Sequence, residues 1–149
     1  SSLARISQDN FWNQTGGRVT HFVGTIGTSG TVMGNGWGLK ERNPAIQIIA
    51  VEPDSPFHGI EGLKHIETSI VPGIYHSRGF DRLIFAATDE AWNITRLMAR
   101  EEGLLVGSSA GAAVLAARRI ADEIESGVIV CVLCDSGERY LSTQVWANP

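Results

Sequence analysis

The residues best suited to do chemistry form one short run, Gly24-Thr25-Ile26-Gly27-Thr28-Ser29-Gly30-Thr31. It joins the apolar stretch Thr20-His21-Phe22-Val23 to a segment of helical period, Thr31 to Asn43, that stops before Pro44. In a strand, loop and helix unit of this kind, the loop N–H groups and the helix start converge on one point, where partial positive charge suits an anion. Glycine allows the backbone to approach because it has no side chain in the way and tolerates positive φ. The hydroxyls interleaved with the glycines favour a phosphate over a turn chosen only for packing.

Other readings of these residues are testable by spacing. A dinucleotide site would use Glu52, at the end of the next apolar run, as its ribose acid, but the glycines fall as G-x-x-G-x-x-G and Pro53 follows the acid at once. A Walker loop would need Lys-Ser or Lys-Thr after the glycines, and neither is there. Gly107-Ser108-Ser109-Ala110-Gly111 is a literal G-x-S-x-G, the pattern of a serine-hydrolase nucleophile elbow. In that fold the acid and then the histidine follow the serine, whereas His21, His58, His65 and His76 all precede Ser109. Ser108 and Ser109 also suit simple helix N-capping. Cys131 and Cys134 form a C-x-x-C pair inside the apolar run 128–134, which reads as a buried strand. Positions three apart on a strand face opposite ways, so neither a disulfide nor a metal site is expected.

At 149 residues and 43% hydrophobic, the chain fits one globular domain, 1–149, with a real core. A net charge of -4 and the lack of a Lys/Arg run argue against a nucleic-acid partner. No apolar stretch reaches the roughly 20 residues of a membrane helix, and the polar opening lacks a signal-peptide core, so a cytoplasmic enzyme domain is expected.

The elements that must position the glycine run alternate. Ile46 to Val51 is a second strand ended by Glu52-Pro53, and Leu83 to Ala87 is a third. Asp89 to Glu102 is a helix with Thr88 as N-cap and Gly103 just past its end. A further helix opens at Ser108-Ser109 and ends near Gly127, before the Cys131 strand. The pattern predicts an α/β fold, a three-layer, doubly wound, mostly parallel sheet. The long Gly- and Pro-rich stretch from Pro53 to Arg82, with His58, His65 and His76, is expected to be functional. The histidines themselves read as surface residues. Ser7 to Thr15 looks like the tail of a helix whose upstream partners are absent.

Taken in order, Gly27-Thr28-Ser29-Gly30-Thr31, Val51-Glu52-Pro53, Gly103 through Gly111 and Ser136-Gly137-Glu138-Arg139-Tyr140-Leu141-Ser142-Thr143 resemble the cysteine synthase family. That family comprises O-acetylserine sulfhydrylases and their cystathionine β-synthase relatives, of fold type II among pyridoxal-phosphate enzymes. The similarity runs over nearly the whole chain from about Phe11. One departure is Ala110, where relatives often carry a second serine.

The resemblance implies a transferase of cysteine biosynthesis that uses pyridoxal 5′-phosphate, takes an O-activated serine (O-acetylserine or O-phosphoserine) and sulfide, and is a homodimer. Gly27, Thr28, Ser29, Gly30 and Thr31 would hold the cofactor phosphate. Ser136 would meet the pyridine nitrogen, with Cys134 a second candidate. A neutral hydroxyl there makes the ring a weaker electron sink, which favours β-elimination. Gly59, Ile60, Glu61 and Gly62 would close on the amino-acid substrate. The Schiff-base lysine lies upstream in the family, and neither Lys40 nor Lys64, the chain's lysines, has its sequence context. The chain is therefore expected to supply the C-terminal, phosphate-binding part of a two-domain fold, with the N-terminal half in cis or in trans, and to be inactive alone. The alternative is a non-catalytic module of the same descent that binds a phosphate ligand or a partner.

Overall fold

The computed structural model of the protein describes residues 9–26, 30–54 and 80–133. Residues 9–14 are helical, and the following elements are β1 (His21–Thr25), α1 (Gly30–Arg42), β2 (Gln47–Pro53), β3 (Arg82–Ala86), α2 (Thr88–Glu102), α3 (Ser108–Glu123) and β4 (Ile129–Cys131). The strands form one parallel sheet in the order β3-β2-β1-β4, with His21 paired to both Gln47 and Ile129, and Val51 to both Thr25 and Ile84.

Strand alternation sorts the core onto two faces. Val23, Ile49, Val51, Ile84 and Ala86 point to one face, which α2 and α3 cover with Ala91, Ile94, Ala112, Ala113 and Ala116. Phe22, Ile48 and Ala50 point to the other, where Leu39 of α1 packs with Phe11 and Trp12. The result is the expected three-layer, doubly wound α/β architecture. The chain steps outward from β1 to β3 and then returns across the sheet to β4 on the far side of β1.

Several expected boundaries move, each for a physical reason. Gly24 and Thr25 belong to β1, paired with Ala50 and Val51, and Gly30 already opens α1. The connection after β1 is thus shorter than the glycine pattern suggests. Thr88 is not an N-cap: the cap of α2 is Ala87, without a side-chain bond, and Asp89 and Glu90 serve the first turn through their charge. Gly103 does close α2 in the left-handed conformation, φ 66°, with its N–H donated to the Met98 carbonyl. Ser108 and Ser109 are not caps either, because Gly107 is the cap of α3 and both serines are buried inside the first turn.

α3 ends at Glu123 rather than near Gly127. Gly127 instead packs under Thr20, where a Cβ would lie 2.6 Å from the Thr20 hydroxyl. β4 is shorter than the predicted 128–134 strand and half-buried rather than buried, because it is the last strand of the described sheet and has one neighbour there. Cys134 lies outside the described residues.

Two devices hold the layers. At the sheet's amino end the Val128 carbonyl accepts the N–H groups of Thr20 (2.9 Å) and His21 (3.2 Å), and the Val128 N–H donates to the Thr20 hydroxyl (3.0 Å). That hydroxyl also lies 2.8 Å from His21 Nδ1. Between α2 and α3, Gly111 permits close approach: a Cβ there would sit 2.0 Å from Thr95 Oγ1 and 2.5 Å from the Ala91 carbonyl.

Gly111→Ala is therefore expected to lower stability by about 1–3 kcal/mol. Adding Thr95→Ala should not restore it, since the Ala91 carbonyl is backbone; urea unfolding of the single and double variants checks this. Burial pushes the His21 imidazole below its ordinary value of 6.5. The unfolded chain then binds the extra proton first, so stability is full above about pH 6.5 and is lost as pH falls through the folded value. His21→Gln should flatten the fall in melting temperature on mild acidification.

Candidate functional site

In a parallel sheet all the strand carboxyl ends lie together, and the connections there gather the helix starts. α1 follows β1 after four residues and ends just before β2, so it starts at the carboxyl end of the sheet. α2 follows β3 directly and starts at the same end. Glu123, the last residue of α3, pairs with Arg82, the first residue of β3, with Arg82 Nη2 at 2.9 Å from Glu123 Oε1. A 16-residue helix is about 24 Å long, so Ser108 lies back at the carboxyl end.

Charge divides these starts. α2, outside β3, carries Asp89 and Glu90 in its first turn, while α1 and α3 carry no acid there. Glu90 is in turn held by Arg119 at 2.6 Å, and the same guanidinium donates to the outward-facing Phe85 carbonyl at 2.9 Å. The N-terminal dipole of α2 is thus balanced within the protein, while α1 and α3 bring no first-turn acid of their own. Strand order reverses at β1, between β2 on one side and β4 on the other. Open α/β sheets bind ligands in the crevice at such a reversal, outside the strand carboxyl ends.

Of the predicted cofactor residues, Gly30 and Thr31 open α1 at the carboxyl end of the sheet. Gly27, Thr28 and Ser29 lie outside the described residues, bracketed by Ile26 after β1 and Gly30 at the start of α1, and Thr31 is the second residue of that helix. Cys134 and Ser136 lie outside the described residues too, just beyond Leu133, which follows β4. The substrate-loop residues Gly59, Ile60, Glu61 and Gly62 also lie outside them, as do Lys64, His58, His65 and His76.

Lys40 is placed elsewhere. Its ammonium pairs with Asp81 at 3.0 Å, and Asp81 accepts the Ile48 N–H at 2.7 Å near the amino end of the sheet. Ten residues of helix put it roughly 15 Å from the start of α1.

The G-x-S-x-G segment is not an elbow. An elbow needs its serine at the exposed tip of a strained turn, whereas Ser109 is the second residue of α3 and 4% exposed. Its final glycine is explained by packing on α2. Burial raises the Cys131 thiol above its ordinary range, which disfavours a reactive thiolate. Among the described residues no group of three or more His, Cys, Asp or Glu could hold a metal ion, and no helix is long and apolar enough to cross a membrane. A largely apolar cleft of about 420 Å³ between α2 and α3, lined by Ile94, Leu97, Met98 and Val114 with Glu101, Glu102 and Arg118, lies along the C-terminal half of α2, away from the strand carboxyl ends.

Among the described residues, three further buried polar side chains were not expected to be buried from the sequence. Glu52, read there as a rival ribose acid and as part of the Val51-Glu52-Pro53 motif, is 2% exposed at the carboxyl end of β2, Asn35 is 3% exposed in α1, and Thr95 is fully buried in α2, where its hydroxyl donates to the Ala91 carbonyl. The available signal for Asn35 was its spacing of four from Leu39, which places both on the inner face of the helix.

Comparison with known proteins bears on this geometry. Residues 6–135 match the family described as "Pyridoxal-phosphate dependent enzyme". The chain is 52% identical over 141 residues to the cysteine synthase of Aquifex aeolicus, covering 92% of this chain and 43% of that protein. It is 44% identical over 135 residues to cysteine synthase B of Pseudomonas aeruginosa, covering 91% and 45%. Among solved structures, the cysteine synthase of Entamoeba histolytica superposes with a TM-score of 0.93 at 35% identity, over 98% of this chain and 46% of that one. The chain thus spans a little under half the length of the curated relatives it matches. On the match over residues 6–135, the chain belongs to the pyridoxal-phosphate-dependent enzyme family, and the relatives it resembles in both sequence and fold are cysteine synthases.

Proposed function

We propose that the protein takes part in making cysteine from an O-activated serine and sulfide, by β-replacement, and that this chain seats the cofactor phosphate at the start of α1. The observation that carries the reading is the acid-free start of α1 at the strand-order reversal, directly after a loop of glycines and hydroxyls. A helix start with no acid of its own, preceded in sequence by glycines and hydroxyls, has the donor chemistry a phosphate dianion needs. The residues present therefore fit pyridoxal phosphate. When bound, that group supplies an electron sink for charge developing at the substrate Cα, which allows the β-substituent to leave.

The chain's own residues do the holding and orienting. The N–H groups of Gly27 through Thr31 and the hydroxyls of Thr28, Ser29 and Thr31 donate to the phosphate. Ser136 would hold the pyridine nitrogen through a hydrogen bond from its hydroxyl, with Cys134 as the alternative donor. The substrate loop Gly59, Ile60, Glu61 and Gly62 would contact the amino-acid substrate, and the donor is proposed to be O-acetylserine or O-phosphoserine. Lys40 is committed to Asp81 at the other end of the sheet, and the lysine that carries the cofactor is proposed to lie outside residues 1–149. The working enzyme is proposed to be a cytoplasmic homodimer.

Two outcomes follow. Purified residues 1–149, given O-acetylserine, sulfide and cofactor, should form no cysteine above the protein-free rate; cysteine formed by this polypeptide alone would overturn the placement of the lysine. Thr28→Val should weaken pyridoxal-phosphate binding by roughly fivefold, the value of one hydrogen bond, with an unchanged melting temperature when no cofactor is present. Equal affinities in a fluorescence titration would remove Thr28 from the cradle. Absence of any pyridoxal-phosphate binding would favour the alternative, a module that binds another ligand or a partner.

A further inference from the structure

Among the described residues β3 has a single neighbour, β2, and its other side is an open edge. The Ala86 carbonyl accepts the Asp54 N–H at 3.1 Å, so Ala86 turns its backbone groups toward β2, and alternation turns those of Leu83 and Phe85 outward. The side chains add to the exposure: Leu83 through Ala87 carry no charge and no proline, and Phe85 is 46% exposed. A strand of this composition with a bare edge is a template for another strand. A copy of itself fits in register. Antiparallel pairing centred on Ile84 sets Leu83 of one copy opposite Phe85 of the other, where each N–H meets the other's carbonyl, and a two-fold axis closes the contact.

The fold places a cation on that register. Arg119, in α3, extends to the edge, where Nη1 donates to the outward Phe85 carbonyl at 2.9 Å and Nη2 donates to Glu90 Oε2 at 2.6 Å. Two donations from one planar guanidinium fix its orientation as well as its position. The Phe85 carbonyl is the acceptor that the Leu83 N–H of a second copy needs. Pairing must therefore strip it of a charge-assisted bond and take a paired guanidinium and carboxylate out of water. At the amino end of the same strand Arg82 is paired with Glu123, so the apolar run has a guanidinium at either end. The Arg119 pair does little to hold the helices together, because its side chains are 40% and 53% exposed and α2 already closes on α3 at Gly111 and Thr95.

We propose that Arg119, anchored by Glu90, keeps the β3 edge closed to strand addition, and that the partner it excludes is the same edge of a second copy of this chain. The device acts independently of the phosphate site proposed above.

The test is sedimentation velocity over a concentration series, with residue-resolved amide hydrogen exchange, on wild type and Arg119→Ala. Wild type should exchange the Leu83 and Phe85 amides fast at every concentration. Slow exchange there would mean that the edge is already occupied and would overturn the proposal. Arg119→Ala should shift, as concentration rises, to a particle of twice the wild-type mass, with the Leu83 and Phe85 amides becoming slow. Mass and exchange equal to wild type would overturn the proposal, as would association that leaves these two amides fast, since the contact then lies elsewhere. Should Arg119→Ala fail to fold, Glu90→Gln, which removes only the anchor, is read in the same way: protection of Leu83 and Phe85 that grows with concentration supports the guard, and its absence overturns it.

Discussion

The arrangement depends on the pairing of β1 on both sides. One carbonyl, that of Val128, takes the N–H groups of both Thr20 and His21, while the Thr20 hydroxyl accepts the Val128 N–H in return. These bonds set β4 against β1 in the register His21 to Ile129, and on the opposite side β1 meets β2 in the register His21 to Gln47. With β1 fixed between neighbours reached by different routes along the chain, the connections after β1 and after β4 must leave the sheet side by side. The crevice is a product of topology before any side chain is placed in it.

Helix ends then decide what the crevice can hold. α2 satisfies its own start with Asp89 and Glu90 and with Arg119 behind them, and it packs tightly on α3 because Gly111 leaves room for Thr95 and the Ala91 carbonyl. α1 has no such acid. Exposed ion pairs such as Arg82 with Glu123, which raises the guanidinium and lowers the carboxyl from their ordinary values, add little stability. They do fix where α3 ends against β3, and so where its buried first turn begins.

Much of this was legible in the residues. Apolar runs of strand length, the helical period after the glycines and Gly103 past a helix end each report a local preference that the fold obeys. The failures have a common cause, which is that tertiary partners outrank local signals. Gly24 looks like loop but lies in β1 because Ala50 pairs with it, and Ser109 looks like a nucleophile or a cap but is buried in a helix. The C-x-x-C run looks like a long buried strand, yet β4 covers only Ile129–Cys131 and has one described neighbour. Glu52 was visible as an acid at a strand end, but its burial depends on α1 lying over it, which no spacing within β2 reveals. The candidate cofactor residues rest on their order along the chain and a family resemblance, and most of them lie outside the described residues.

The most direct test of the central claim is a crystal structure of the protein with pyridoxal phosphate. The account predicts the phosphate against the first turn of α1, in the crevice between the carboxyl ends of β1 and β4. A phosphate seated elsewhere, at the α2 start or along the α2 and α3 cleft, would contradict it.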